Sequence, residues 1–344
     1  MSRKSDNKTR VALIGGGTVG SAVVGQLRSV PSAELIGVLV RDPSLPRTFS
    51  DHARLVTTDP GFLRDADIVI EVAGGTGAAA DLALAALARG QSVVTANKAA
   101  LAERWSEYAP YLSAGRLYLE SAVMAGVPVI GAVACGLRAA GAVSAHAVLN
   151  GTCNVILAGM EAGQEYSAAL KEAQDLGFAE ADPALDVGGI DSAHKLSILL
   201  RLGFDPDASW DRVAESVRGI TELGKEAVAA EVRAGRAVRL VGSITWGGDA
   251  GWSATVRPVS LPRSHPLVAT GPTNALLFRG SAVAEVLLKG PGAGGGSTAG
   301  GVMADVLAAL AGRPGPAPLT QPVAAPGSGA TARPEEGDEF LELV

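Results

Sequence analysis

Cysteine, histidine and surplus positive charge are all scarce in this chain of 344 residues. Two cysteines, Cys135 and Cys153, build no disulfide framework in so long a chain and point to a reducing compartment. Four histidines, His52, His146, His194 and His265, show no metal-ligand spacing, which disfavours a zinc enzyme. The formal net charge of −6 argues against a nucleic-acid partner. An apolar leader is missing, because the opening MSRKSDNKTR is polar and charged. The apolar run at residues 122–137 is 16 residues long and broken by glycines and Pro128, whereas a membrane span needs about 20. The expectation is a cytoplasmic protein with neither membrane nor nucleic acid as its business. A hydrophobic content of 47% is ample for about two cored domains.

Glycine is where this sequence is rich. Residues 11–14 (VALI) read as a buried strand, and Gly15, Gly16, Gly17, Thr18, Val19 and Gly20 follow directly, ahead of the helical run SAVVGQLRS. This is G-x-G-x-x-G between strand and helix, the context of a dinucleotide phosphate turn. Gly15 allows the tight turn, Gly17 lets the backbone approach a pyrophosphate, and Gly20 lets helix and strand pack closely. The helix N-terminus then receives the phosphate charge. A second strand at 35–40 ends in Arg41-Asp42-Pro43. Arg41 suits a 2′-phosphate and favours NADP, while Asp42 on a ribose hydroxyl is the NAD alternative.

Further strands are expected at 67–71, 92–95 and 117–119, with helices at 81–89 and 100–113 between them. Together they complete a doubly wound parallel sheet. The strand at 92–95 delivers Ala96-Asn97-Lys98 to the edge where such sheets bind ligands. Residues 120–128 (ESAVMAGVP) form a small-residue turn whose backbone carbonyls suit a monovalent cation, or simply a loop into a buried helix.

The pattern changes after residue 143. Asn150-Gly151-Thr152-Cys153-Asn154 makes a polar turn into a helix at 155–163, with Thr152 as the expected N-cap and Thr152 and Asn154 as substrate donors. Strands are expected at 145–149, 237–246, 252–261 and 282–288, giving an α+β domain on a mostly antiparallel sheet. Its open face suits dimerisation. A second glycine-rich loop at 289–298 precedes a helix at 299–311, and the Pro/Ala/Gly-rich segment from 312 onward is expected to be disordered.

One stretch concentrates the charge. Residues 177–195 (GFAEADPALDVGGIDSAHK) hold Glu180, Asp182, Asp186, Asp191 and Lys195, in a chain only 19% charged. Glu180, Asp182 and Asp186 are expected on loop, broken by Asp182-Pro183 and Gly188-Gly189. Asp191 opens a helix, where the dipole favours a carboxylate, and Lys195 follows one turn later on the same face. That pairing suits proton transfer, or an ordinary cap with an ion pair.

Taken together, these segments resemble homoserine dehydrogenase in sequence order over roughly residues 8–311. The specific part is A-E-x-D-P followed by D-x-x-G-x-D-x-x-x-K. The resemblance implies a Rossmann NAD(P) domain (1–136, completed by the helix 297–311) and a substrate and dimerisation domain (137–296). It further implies Lys195 as proton donor or acceptor, Asp191 as its orienter, and Lys98 in contact with substrate and cofactor. Glu180 would bind the substrate amino group, with Asp186 and Thr152 beside it. Gly177 and Gly294 match cofactor-contacting glycines. Glu120, Val123, Ala125 and Val127 match a sodium site of mainly main-chain oxygens. Cys153, Val155 and Met124-Ala125 depart from the family's commoner residues. The implied reaction interconverts L-homoserine and L-aspartate 4-semialdehyde in a homodimer, and the short tail carries no regulatory domain. Three alternatives stay open: a homoserine-dehydrogenase-like oxidoreductase acting on a related amino-acid alcohol or aldehyde, a semialdehyde dehydrogenase using Cys153 as nucleophile, and a non-catalytic NADPH-binding protein.

Overall fold

The structure, a computed structural model, describes residues 8–49, 55–325 and 340–343. Its backbone divides into two compact units, residues 1–128 with 294–318, and residues 129–293 with 319–344.

The first unit is built on short β-branched runs. β1 (Thr9–Ile14), β2 (Ala33–Leu39), β3 (Val56–Thr57), β4 (Ile68–Glu71), β5 (Ser92–Thr95) and β6 (Leu117–Tyr118) form one parallel sheet in the order β3-β2-β1-β4-β5-β6. Val11, Leu13, Ile70, Val93 and Val94 are fully buried, as expected where helices cover both faces of a parallel sheet. The crossovers carry α1 (Thr18–Leu27), α2 (Ala78–Ala88), α3 (Lys98–Glu103) and α4 (Trp105–Ser113), and α5 (Ser121–Met124) follows β6. The single helix expected at 100–113 is therefore two, divided at Arg104. A late helix, Gly295–Leu310, returns to pack on α1 and buries Val302, Met303 and Val306 in the same core. β1 pairs with both β2 and β4, so the chain leaves it towards opposite sides. That reversal opens a crevice at the carboxyl ends of the strands.

The second unit runs α6 (Val129–Cys135), β7 (Ala142–Val148), α7 (Gly151–Glu161), α8 (Tyr166–Asp175), α9 (Ala184–Val187), α10 (Ile190–Gly203), α11 (Trp210–Glu215) and α12 (Lys225–Arg233). The strands β8 (Arg236–Trp246), β9 (Trp252–Pro262), β10 (Thr273–Gly280) and β11 (Ala284–Pro291) follow. With β12 (Leu341–Glu342) they form an antiparallel sheet in the order β11-β10-β7-β8-β9-β12. β8 and β9 pair along their full length, from Arg236 opposite Pro262 to Trp246 opposite Trp252. Gly242 on β8 lets α10 lie close, since a Cβ there would sit 3.1 Å from Leu196 Cδ1. From Asp191 to Gly203 every residue of α10 is buried, so its polar members must find partners inside the protein.

Several sequence expectations are corrected. β10 was not anticipated: TNALLFRG is buried on both faces and therefore shows no alternation. The two units part at 128/129 rather than at 136, and the late helix begins at Gly295. Of the segment expected to be disordered from 312, residues 326–339 and 344 lie outside the described residues. In its described part, Val323 N–H donates to the Phe204 carbonyl at 2.7 Å, and Trp252 Nε1 donates to the Val323 carbonyl at 2.8 Å. Leu341 and Glu342 pair with Ser260 and Val259, Arg257 bonds Glu342 at 2.6 Å, and the Phe340 ring stacks on His146 at 4.4 Å. The Phe340 ring and the backbone pairing of Leu341 and Glu342 hold this part of the chain to the sheet. No helix among the described residues is long and apolar enough to cross a membrane.

Candidate active site

The first unit presents a nucleotide-shaped cleft at the ends of β1 and β4. Gly15 has φ +104°, and a Cβ there would lie 2.9 Å from Ala73 N, so the turn demands glycine. A Cβ on Gly20 would run into the Gly15 carbonyl. Gly17 instead faces open space, with no atom within 4 Å of where its Cβ would be, and it is the N-cap of α1. Thr18 and Val19 thus expose the first N–H groups of a helix with no acidic residue in its first turn. A cleft of about 1120 Å³ runs past Gly15, Gly17, Arg41, Val72 and Gly74. The open cradle at Gly17 and the uncapped helix end fit a pyrophosphate, so the residues present fit a dinucleotide.

Arg41 lines that cleft with its side chain exposed. The Asp42 carboxylate accepts from the Ser44 hydroxyl at 2.6 Å and the Ser44 N–H at 2.8 Å. These bonds hold it below the usual carboxylate range and engage it locally. Arg47, which sequence reasoning passed over, donates to the carbonyls of Asp42 at 2.6 Å and Leu45 at 2.7 Å and packs beside Gly16. Glu71 was also missed as more than a strand residue. Fully buried, it accepts from Ala73 N and Gly74 N at 2.9 Å each and from the Thr95 hydroxyl at 2.8 Å. A carboxylate closing an otherwise apolar strand was the available signal. Asn97 caps α3 through Ala100 N and donates to the Gly75 carbonyl at 2.7 Å, which makes half-buried Lys98 the first residue of α3.

The turn containing Glu120, Val123, Ala125 and Val127 is tight. Ala125 takes φ +52°, and Val127 N–H donates to the Met124 carbonyl at 2.9 Å. Glu120 N–H donates to Asp305 Oδ2 at 2.8 Å. Burial pushes the Asp305 carboxyl up to about 7 against the lowering effect of that bond, and the Glu120 charge adds to the rise. Gly294 (φ +105°) is the N-cap of the late helix, α13 (Gly295–Leu310). Gly177 (φ +76°) lies just past α8 in the second unit.

The second unit gathers a buried charge cluster. Gly189, at φ +85°, turns the chain into α10 and places Asp191 in its first turn. Lys195 Nζ donates to Asp191 Oδ2 at 2.8 Å and to the Leu149 carbonyl at 2.7 Å, with residue exposures of 7% and 8% for Lys195 and Asp191. Breaking a pair this buried typically costs about 3–5 kcal/mol, whereas an apolar replacement of both partners is often neutral. Stability alone gives little reason to keep it, and a proton-handling role gives a good one.

The remaining candidates divide. Asp186 belongs to the short helix α9 rather than to loop, and its Oδ1 accepts from Asn150 Nδ2 at 2.7 Å. Thr152 is not the N-cap of α7. Asn150 is, accepting from Cys153 N at 2.8 Å, because the helix begins four residues earlier than the expected 155. The Thr152 hydroxyl donates to the Phe178 carbonyl at 2.7 Å, and the Asn154 amide to the Thr273 carbonyl at 3.0 Å. Glu180 is exposed and stands outside the hydrogen bonds around Lys195; Gln174 Nε2 donates to its carbonyl at 3.1 Å. His194 stacks on Trp210 at 4.7 Å, away from the lysine, and His52 lies outside the described residues. Cys153 is fully buried and its thiol donates to the Asp186 carbonyl at 3.2 Å. Burial, then the Asp186 and Asp191 charges, push that thiol well up, so it is a poor nucleophile and the acyl-thioester alternative loses its centre.

Comparison with known proteins decides the family. The homoserine dehydrogenase family profile matches residues 128–307, and the profile for the homoserine dehydrogenase NAD-binding domain matches 15–111. The chain belongs to the homoserine dehydrogenase family. A homoserine dehydrogenase of Corynebacterium glutamicum is 36% identical over 87% of this chain and 71% of its own length. The crystal structure of a homoserine dehydrogenase from Thiobacillus denitrificans superposes with a TM-score of 0.80 at 33% identity, covering 88% of this chain and 73% of that one. A hyperthermophilic archaeal homoserine dehydrogenase solved in complex with NADPH gives 0.74 at 27% identity, covering 90% of this chain and 99% of that one. An oxidoreductase with an NAD-binding Rossmann unit and a separate antiparallel unit is thus the right description.

Proposed function

We propose that this chain interconverts L-homoserine and L-aspartate 4-semialdehyde, prefers NADP, accepts NAD, and serves threonine, methionine and isoleucine biosynthesis as a homodimer. The observation carrying this reading is the buried Lys195–Asp191 pair with a directed ammonium. A bound nicotinamide supplies or removes the hydride. In the reducing direction, negative charge grows on the aldehyde oxygen. Lys195, with two of its three N–H groups engaged by Asp191 and Leu149, offers the third and passes a proton. In the oxidising direction it takes the hydroxyl proton back. Asp191 keeps the ammonium oriented. Such assistance is worth about 10²–10⁴-fold.

Lys98 is assigned contact with substrate and cofactor, and Glu180 the substrate's amino group. Asp186 and Thr152 are assigned to substrate binding in the second unit. Gly15, Gly17, Thr18, Val19 and Gly20 hold the pyrophosphate, Gly177 and Gly294 contact the cofactor, and Arg41 pairs with a 2′-phosphate. Engagement of Asp42 by Ser44 supports the NADP preference, since that carboxylate is already occupied. The bound NADPH of the archaeal relative supports it too. Main-chain oxygens of Glu120, Val123, Ala125 and Val127 would hold a sodium ion.

The test is initial rates with L-homoserine and close analogues, against NADP and NAD, with and without sodium, alongside light scattering for mass. The reading expects L-homoserine and NADP to give the highest kcat/KM and a dimer mass. No turnover of L-homoserine with either cofactor would sink it.

A further inference from the structure

The β7-to-α7 turn of the second unit carries an amide that the proposed chemistry leaves unused. Asn150 is 3% exposed, and its Nδ2 donates to Asp186 Oδ1 at 2.7 Å and to Asp191 Oδ2 at 2.9 Å. Both amide hydrogens are thereby engaged, one on each carboxylate. The orientation is not interchangeable, because Oδ1 accepts from Cys153 N–H at 2.8 Å. A flipped amide would set donor against donor at Cys153 and oxygen against two carboxylates.

We propose that Asn150 is a positioning residue for proton transfer, whose amide bridges Asp186 and Asp191 and thereby fixes the direction of the Lys195 ammonium. The inference rests on the role given above to Lys195 and Asp191. Asp191 Oδ2 takes two donors, Asn150 and Lys195, so the carboxylate cannot turn away from the ammonium without losing the amide. The ammonium's second acceptor is the carbonyl of Leu149, the residue next to Asn150, and Asn274 Nδ2 also donates to that carbonyl at 3.0 Å. One turn thus supplies or holds both acceptors of Lys195. With two N–H directions set, tetrahedral geometry sets the third, which is the one left for substrate oxygen. The amide also lets the two carboxylates approach one another, its two N–H groups offsetting their repulsion.

Capping α7 is the competing role for Asn150, and it uses only Oδ1. Serine and aspartate cap helices about as well as asparagine, so N150S and N150D separate the two roles. The ionisable groups gathered here are Asp186 on α9, Asp191 and Lys195 on α10, and the Cys153 thiol on α7. N150S keeps a capping oxygen and removes both amide donors, so the two carboxylates can no longer be bridged. It is expected to melt within a few degrees of wild type and to lose roughly 10-fold or more in kcat, with a smaller change in KM. N150D adds a carboxylate beside the ammonium and favours its charged form. The pH-rate limb that reports the lysine is expected to move upward by roughly one pH unit.

The experiment is the pH-rate profile of wild type, N150S and N150D, with an NMR titration of ¹³C-labelled lysine, Lys195 being assigned by its loss in Lys195→Met. Folded variants with unchanged kcat, limb and lysine titration would overturn the positioning role. If wild type shows no turnover of L-homoserine, the proposed reaction fails on its own. The titration still decides the present inference: a displaced Lys195 midpoint in N150S, which adds no charge, supports it, and an unmoved one overturns it.

Discussion

Lys195 is the residue on which most depends. It is buried, its ammonium donates to Asp191 Oδ2 and to the Leu149 carbonyl, and nothing about helix packing requires a charge there. Lys195→Ala is expected to lower kcat by about 10²–10⁴-fold while NADPH binding, followed by fluorescence titration, stays near wild type. Near-normal turnover would remove Lys195 from the chemistry. Arg41 is the residue proposed to read the cofactor. Its exposed guanidinium lines the nucleotide cleft beside an Asp42 carboxylate already taken by Ser44. Arg41→Ala is expected to raise KM for NADP roughly 10-fold and leave KM for NAD nearly unchanged, because only the 2′-phosphate offers a charged partner. Equal losses with both cofactors would point instead to a general role in shaping the cleft. The lysine, its aspartate and the arginine were all legible as residues. Asn150 was not: as one polar residue of a capping turn, it shows its bridging only once α9 and α10 are folded against it.

At the scale of elements, the glycines of the nucleotide turn do separate jobs. Gly15 supplies a positive φ, Gly17 an open cradle, and Gly20 a close crossing of α1 over the turn. Gly295 does the same for α13, where a Cβ would lie 2.8 Å from Thr18 Cγ2. Gly20→Ala places a methyl against the Gly15 carbonyl and should distort the end of β1. The expected outcome is a loss of about 1–3 kcal/mol in denaturant unfolding of the first unit, together with much weaker NADPH binding. A variant that binds NADPH normally would show that the turn tolerates a wider crossing. The spacing of these glycines was readable because the G-x-G-x-x-G turn is local: strand, turn and helix lie within twenty residues. β10 was unreadable for the opposite reason. Its side chains are buried on both faces of the second sheet, so no polar face marks the strand.

For the molecule as a whole, acid is the informative perturbation. His146 sits on the second sheet with Ser243 bonded to its Nδ1 at 2.9 Å and Phe340 stacked over it. Burial, with the Arg279 and His265 charges adding to it, pulls its pKa from 6.5 down to about 3. The folded state therefore holds His146 neutral where the unfolded chain takes a proton. Its stabilising contribution is complete above pH 6.5 and is lost as pH falls from 6.5 towards 3. The stability difference between wild type and His146→Gln should shrink by a few kcal/mol between pH 7 and pH 4, as measured by urea unfolding. A difference that stays constant over that range would mean His146 protonates freely in the fold.

The sequence by itself determined what is local or strongly patterned. The parallel sheet is written in runs such as VALI, IVI and SVV, the phosphate turn in its glycines, and the Asp191–Lys195 pair in a spacing of four on one helix. What the tertiary structure decided depends on residues far apart in the chain. The Lys195 ammonium is aimed by a carbonyl 46 positions away, and Asn150 ties Asp186 and Asp191 across 36 and 41 positions. Phe340 and Leu341 join the second unit because a distant sheet offers the Phe340 ring a stacking partner and the Leu341 backbone an edge. Local propensity acts over a turn or two, whereas the partner of a buried polar group is set only when separate elements pack.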